Sequence, residues 1–159
     1  MRDIWVVGLL FFAITIGFLF IFQHAEINSM IDLFHLKLGP KNIVTPYEQT
    51  LLFSIFVWTH FWYMFNARTF ATDNSLFKLK QGSGFNIIVG IIVLGQILIV
   101  ELLYNFFNVQ PMFHTLDWHF NPGGCIDWLI IVAMSSLVLW VHELIQLIAR
   151  KRHKNKVIK

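Results

Sequence analysis

Between Thr50 and Phe70 the chain reads TLLFSIFVWTHFWYMFNARTF, an apolar run whose only early interruption is the imidazole of His60. From Glu48 to Arg68 is 20 residues, which at about 1.5 Å rise per residue spans roughly 30 Å, the thickness of a bilayer hydrocarbon core. Three more runs have the same character. Ile4 to Phe22 is uncharged over 19 residues, the interior of Phe85 to Tyr104, past Asn86, holds only Gly90, Gly95 and Gln96 before Glu101, and Trp128 to Ala149 ends at a basic tail. With 57% hydrophobic and 13% charged residues, the chain has more apolar surface than one soluble core can hide.

These runs predict an all-α membrane protein, a four-transmembrane-helix bundle forming a single membrane domain over residues 1–159, with spans at about 4–22, 50–67, 85–104 and 128–149. The first run is too long for a secretory signal, and no small-x-small cleavage text follows it, so it reads as an uncleaved span. Residues 25–46 contain Pro40 and Pro46 and fall outside the hydrocarbon, with MIDLFHL as a short amphipathic turn. The text Asn121-Pro122-Gly123-Gly124 reads as a turn before the last span. Gly90 and Gly95 lack the spacing of a close helix crossing.

Loop charge orients the bundle. The N-terminus, the middle connection and the tail hold ten of the twelve Lys and Arg, while the opposite face holds Lys37 and Lys41. The positive-inside rule therefore predicts cytoplasmic N- and C-termini, with residues 150–159 a basic cytoplasmic tail. Trp5, Trp62 and Trp128 fall near predicted interfaces, where indoles are favoured. The tail carries half of the cationic residues, so its partner is the lipid bilayer surface and not nucleic acid.

No segment outside the runs reaches 30 residues, too few for a catalytic domain, and no phosphate-binding, nucleophile-elbow or zinc-protease text is present. No catalytic residue is assigned. The chemistry-bearing candidates are polar residues within apolar helices, which are costly there and by default face a bundle interior. His60 admits a role as cation ligand, proton carrier or haem ligand, or as a neutral imidazole bonded to a neighbouring helix. In the last span His142 and Gln146 share a face, while Glu143 points about 100° away and reads as an ion pair or a snorkelling carboxylate. Glu101 takes the same reading, and Gln96 completes the intramembrane polar set. His114 and His119 flank Asp117 without a third ligand at metal-site spacing, so they read as exposed loop residues, and Cys125 as an inert thiol.

Residues 47–70, YEQTLLFSIFVWTHFWYMFNARTF, followed by NSLFKLKQGSGFNIIVGIIVLGQILIVE, resemble the eighth and ninth transmembrane helices of P-type calcium-transporting ATPases of the plasma-membrane and bacterial type. Thr50, Phe53, Phe56 and Val57 stand where that family's eighth helix opens, Asn66, Ala67 and Arg68 where it ends, and Gln96 precedes an Ile-Leu-Ile-Val run in the ninth. Residues 127–148 resemble the tenth helix, and the first run then stands as the seventh. The resemblance implies the C-terminal membrane segment of an ATP-driven cation pump, buttressing the ion-carrying helices. It implies the remaining pump polypeptide as partner, and ATP, magnesium and calcium as cofactors of the parent pump and not of this chain. Met1 is then an internal methionine or a new start before the seventh span. At the position where relatives offer a glutamate or glutamine to calcium, this chain has His60, the ion-pathway candidate; calcium prefers hard oxygen ligands. Asn66, Ala67 and Arg68 carry over as the structural end of the eighth helix. The alternatives are a four-helix haem or redox protein using His60 and His142, or a membrane scaffold without transport. The resemblance places the protein, multi-pass, in the plasma or inner membrane.

Overall fold

The computed structural model describes residues 2–68 and 83–157, with side chains described for 8–9, 11–68, 84–141, 143–144 and 147–148. The order is α1 (Arg2–His24), a 3-10 turn (Met30–His35), α2 (Pro46–Ala67), α3 (Ser83–Glu101), the short α4 (Tyr104–Phe107) and α5 (Pro122–Val157). No strand occurs among the described residues, only the isolated bridges Ala25–Leu38 and His114–Phe120.

Local chemistry explains the boundaries. Thr45 caps α2 by accepting the Glu48 N–H, and Glu48 returns the bond to the Thr45 N–H, a reciprocal box that satisfies two orphan donors. Pro46 follows in the first turn, where its missing N–H costs nothing. Ser29 and Asp32 form the same box over the 3-10 turn, at the predicted MIDLFHL segment. α4 stops at Asn108, which takes the left-handed conformation at φ 52°.

Three expectations are corrected here. The Asn121-Pro122-Gly123-Gly124 text is not a turn: Pro122 opens α5, and the Cys125 N–H already donates to Asn121 O. Proline suits the first helical turn, so the pattern marks a helix start instead of a break. The last helix also outruns its predicted bounds, extending over 36 residues to Val157, about 54 Å at helical rise. α3 is shorter than predicted and ends at Glu101, where the chain bends into α4. The connection at 69–82 lies outside the described residues.

α2 is the hub. It packs against α5 through Trp58 on Trp128 and Trp62 on Ser135, against α1 through Phe11 on His60 and Tyr63, and against α3 through Phe65 on Phe85. The buried cluster sits at the end where α1 finishes and α2 begins, built from Phe22, Ala25, Ile27, Met30, Leu51, Met112, Trp128 and Ile131. Outward faces are apolar: on α3, Ile87, Ile91, Leu94 and Leu98 recur at helical spacing and are all exposed. The interior is more polar, with Thr50, Ser54, Asn66 and Gln96 buried. The apolar outward faces suit a lipid surround. By length and composition two helical stretches qualify to cross a membrane, Gly84–Glu101 and Pro122–Val141, beside a shorter apolar stretch Phe11–His24. A methyl placed on Gly90 or Gly95 meets nothing within 4 Å, so neither marks a close helix crossing among the described residues.

Candidate functional site

Three buried carboxylates gather the loops onto the end of the bundle where α1 and α3 finish and α2 and α5 begin. Asp127, one turn into α5 and 1% exposed, accepts from Ser29 Oγ at 2.7 Å and the Met30 N–H at 2.9 Å through Oδ1. Its Oδ2 accepts from the Tyr47 hydroxyl. One side chain thus ties α5 to both the 3-10 turn and the first turn of α2. Burial, with the negative charge of Asp127 beside it, pushes the Tyr47 hydroxyl well above the ordinary tyrosine range, so it stays a donor.

Glu48, also 1% exposed, does the same for the preceding segment. Beyond its capping bond it accepts from the Ile27 N–H at 3.0 Å and from Lys41 Nζ, which also donates to Ala25 O at 3.3 Å. Burial opposes ionisation of Glu48, but the Lys41 ammonium and the Thr45 and Ile27 amides outweigh it and hold the carboxyl below its usual range.

Glu101 closes the third corner. It accepts from the Met112 N–H at 3.2 Å, the Phe113 N–H at 3.0 Å and Trp128 Nε1 at 3.3 Å. At 6% exposure it does not snorkel: the loop after α4 folds back and supplies the donors that water would otherwise provide. Trp128, expected near an interface, is buried against it. Thr50 Oγ1 accepts from the Gln110 N–H at 2.7 Å, and Asn108 Nδ2 donates to Gln49 Oε1 at 3.2 Å, fastening the same loop to α2. Met112 lies directly against α5: a methyl on Gly124 would fall 1.8 Å from Met112 O.

The predicted site residues do not come together. His60 is exposed on the side of α2 that faces α1, its Nδ1–H donating to Phe56 O at 2.8 Å and its ring against Phe11 and Phe56. Among the described residues its hydrogen-bond partner is on its own helix. A groove lined by Phe11, Thr15, Phe18, Leu52, Phe56 and Thr59 runs beside it. Trp62, two residues on and about 200° around the helix, meets α5, so His60 points away from the helix that carries His142. The side chain of His142 lies outside the described residues. Gln96 Nε2 donates to Ser54 Oγ at 3.2 Å, and Asn66 Nδ2 to Val138 O at 3.0 Å, pinning α2 to α3 and to α5. Ala67 is exposed, and the Arg68 guanidinium lies 4.0 Å over the Phe85 ring. Glu143 is 7% exposed and so is packed inside rather than snorkelling.

In the loop, Asp117 and His119 are exposed, but His114 is not: its side chain is 14% exposed and reaches Glu101. Among the described residues no three His, Cys, Asp or Glu side chains converge to hold a metal ion. An open cleft between the end of α1 and residues 35–41 mixes His24, Glu26 and Asp32 with Lys37 and Lys41.

Sequence reasoning passed over Glu48 and Asp127. The signal for Glu48 was present, because Thr45-Pro-Tyr-Glu48 is a capping-box text before an apolar run. Asp127 has only its place near a helix start, where an acid suits the dipole; its partners lie 80 to 98 residues upstream.

The described residues thus form apolar helices clamped at one end by three buried carboxylates. The family model for the C-terminus of cation-transporting ATPases matches residues 1–148, and the chain belongs to that family. Comparison with curated proteins gives no match. A cation-transporting P-type ATPase is thus the setting of this chain, with the rest of the pump as its implied partner.

Proposed function

We propose that the chain is the C-terminal membrane segment of a calcium-transporting pump, crossing the plasma or inner membrane four times with both termini in the cytoplasm. It carries no catalysis of its own and braces the helices that move the ion. The observation that carries this reading is the α2–α5 seam. Asn66, which the resemblance places at the structural end of the eighth helix, is 1% exposed and donates to a backbone carbonyl of α5. A polar side chain at that depth that bonds to a neighbouring helix is a packing device. His60, on the opposite side of α2 beside the α1 groove, is then the residue turned toward the remaining pump helices.

Tagged protein purified from its native membrane tests the assignment. The expected result is recovery, as a companion polypeptide or as a continuation of the same chain, of a segment bearing DKTGT in equal amount, with aspartyl phosphorylation by ATP that requires calcium. A chain recovered without that segment defeats the pump reading, and phosphorylation driven by another cation defeats calcium alone.

The four-span topology is checked separately. In a Cys125→Ser background, cysteine placed at Asn42 is expected to react with a membrane-impermeant maleimide in right-side-out vesicles. Cysteine at Lys159 is expected to react only after permeabilisation. Labelling of both from the same side rules the proposed orientation out.

A further inference from the structure

The loop at 109–121 holds one imidazole against two acceptors. His114 Nδ1 lies 2.8 Å from Thr115 O and Nε2 lies 3.1 Å from Glu101 O, each with hydrogen-bonding geometry. Carbonyl oxygens only accept, so both ring nitrogens must donate. A neutral imidazole carries a single N–H and serves only one of them; the imidazolium serves both. The Glu101 carboxylate supplies the counter-charge, with Oε2 at 3.9 Å from Nε2. The indole of Trp118 stacks on the ring with centroids 4.3 Å apart and planes 10° from parallel, a face that favours a cation. Trp118 itself sits at φ 59°, a left-handed backbone that bulky residues avoid, and is held there by this stack and by its N–H bond to Thr115 O.

We propose that His114 is a proton-binding site whose imidazolium form latches the 109–121 loop onto the end of α3. The titratable groups that face it are Glu101 from α3 and Tyr104 from α4, the latter with ring centroids 6.2 Å apart. From α5 the neighbour is Trp128, which shares Glu101 through its indole N–H. The loop contributes the Thr115 carbonyl and the Trp118 ring, while Asp117 and His119 are exposed.

The linkage follows from the same contacts. The Thr115 carbonyl, against an opposing effect of burial and with the backbone and charge of Glu101 behind it, raises the His114 pKa above the ordinary histidine value. A site that binds its proton more tightly in the closed loop stabilises closure fully below about pH 6.5. That contribution is lost as pH rises through the raised value. The latch thus closes in acid and loosens as pH rises. The pump reading is not needed for it, since every group involved is in this chain.

The test is made on the full chain in lipid nanodiscs. Imidazole nitrogen chemical shifts are followed against pH, together with hydrogen exchange at the Thr115, Trp118 and Asn121 amides, corrected for intrinsic rates. All three amides donate within the loop, to His119 O, Thr115 O and Phe113 O respectively. The expected result is a His114 titration above about 6.5, the free value. Protection at the three amides is expected to fall several-fold across that titration, and to show no such step in His114→Phe. Titration at or below the free value, or a step that persists in His114→Phe, overturns the proposal. Should His114→Phe fail to fold, His114→Gln takes its place for the exchange arm, and the wild-type titration decides by itself.

Discussion

Replacing Gly124 by alanine is expected to unseat the last helix, at a cost of about 3 kcal/mol or more, the upper range for forcing an extra methyl into a packed site. The added carbon would fall 1.8 Å from Met112 O and 2.6 Å from Met112 C, and both belong to backbone. No rotamer change relieves such a contact. Met112 cannot retreat, because Glu101 holds its N–H and the Phe113 N–H next to it. The neighbouring glycine is the control: a methyl on Gly123 comes no nearer than 3.4 Å, to the side chain of Asn121. Gly123→Ala is therefore expected to be neutral or mildly stabilising, since alanine is the better helix former by about 1 kcal/mol. Titration with a denaturing detergent, followed by circular dichroism, separates the two. Equal behaviour of the variants contradicts the close approach of α5 to the loop.

Asp127→Ala is expected to cost roughly 3–5 kcal/mol, because it leaves several groups that bonded to a charged acceptor without one. The groups concerned are Ser29 Oγ, the Met30 N–H and the Tyr47 hydroxyl. Met30 is fully buried, so its N–H has no water to turn to. Tyr47→Phe removes one donor and keeps the ring, and is expected to cost only about 1 kcal/mol. Combined, the two changes are expected to fall short of their sum, since Tyr47 has already lost its acceptor. Strict additivity in the same detergent titration shows that the Tyr47–Asp127 bond does not form.

The helices were legible because uninterrupted apolar text needs no distant partner to be recognised. The 3-10 turn at Met30–His35 was equally readable, since Ser29 and Asp32 cap it locally. What escaped was everything that joins distant parts. The carboxylate of Glu101 looks, in sequence, like any acid near a span end, and only the return of Met112 and Phe113 makes it a buried acceptor. His114 looked like an exposed loop residue because nothing local announces that the backbone of Glu101 will meet its second nitrogen. His60 was readable as a polar residue within an apolar helix. Which side it faces was not, because α1 and α5 flank α2 with equally apolar text.

The bond from the Met30 N–H to Asp127 spans 97 residues, and this sets an order of events during synthesis. The segment between α1 and α2 leaves the ribosome long before its anchor exists. Until α5 has been made, Ser29 and Met30 lack the carboxylate that secures them, and the segment between α1 and α2 is fastened by nearer contacts, among them Glu48 with Lys41 and the Gly39 N–H to His24 O. That end of the bundle thus stays open until α5 emerges. A chain that stops short of Asp127 therefore lacks the acceptor that holds the segment between α1 and α2 to α5.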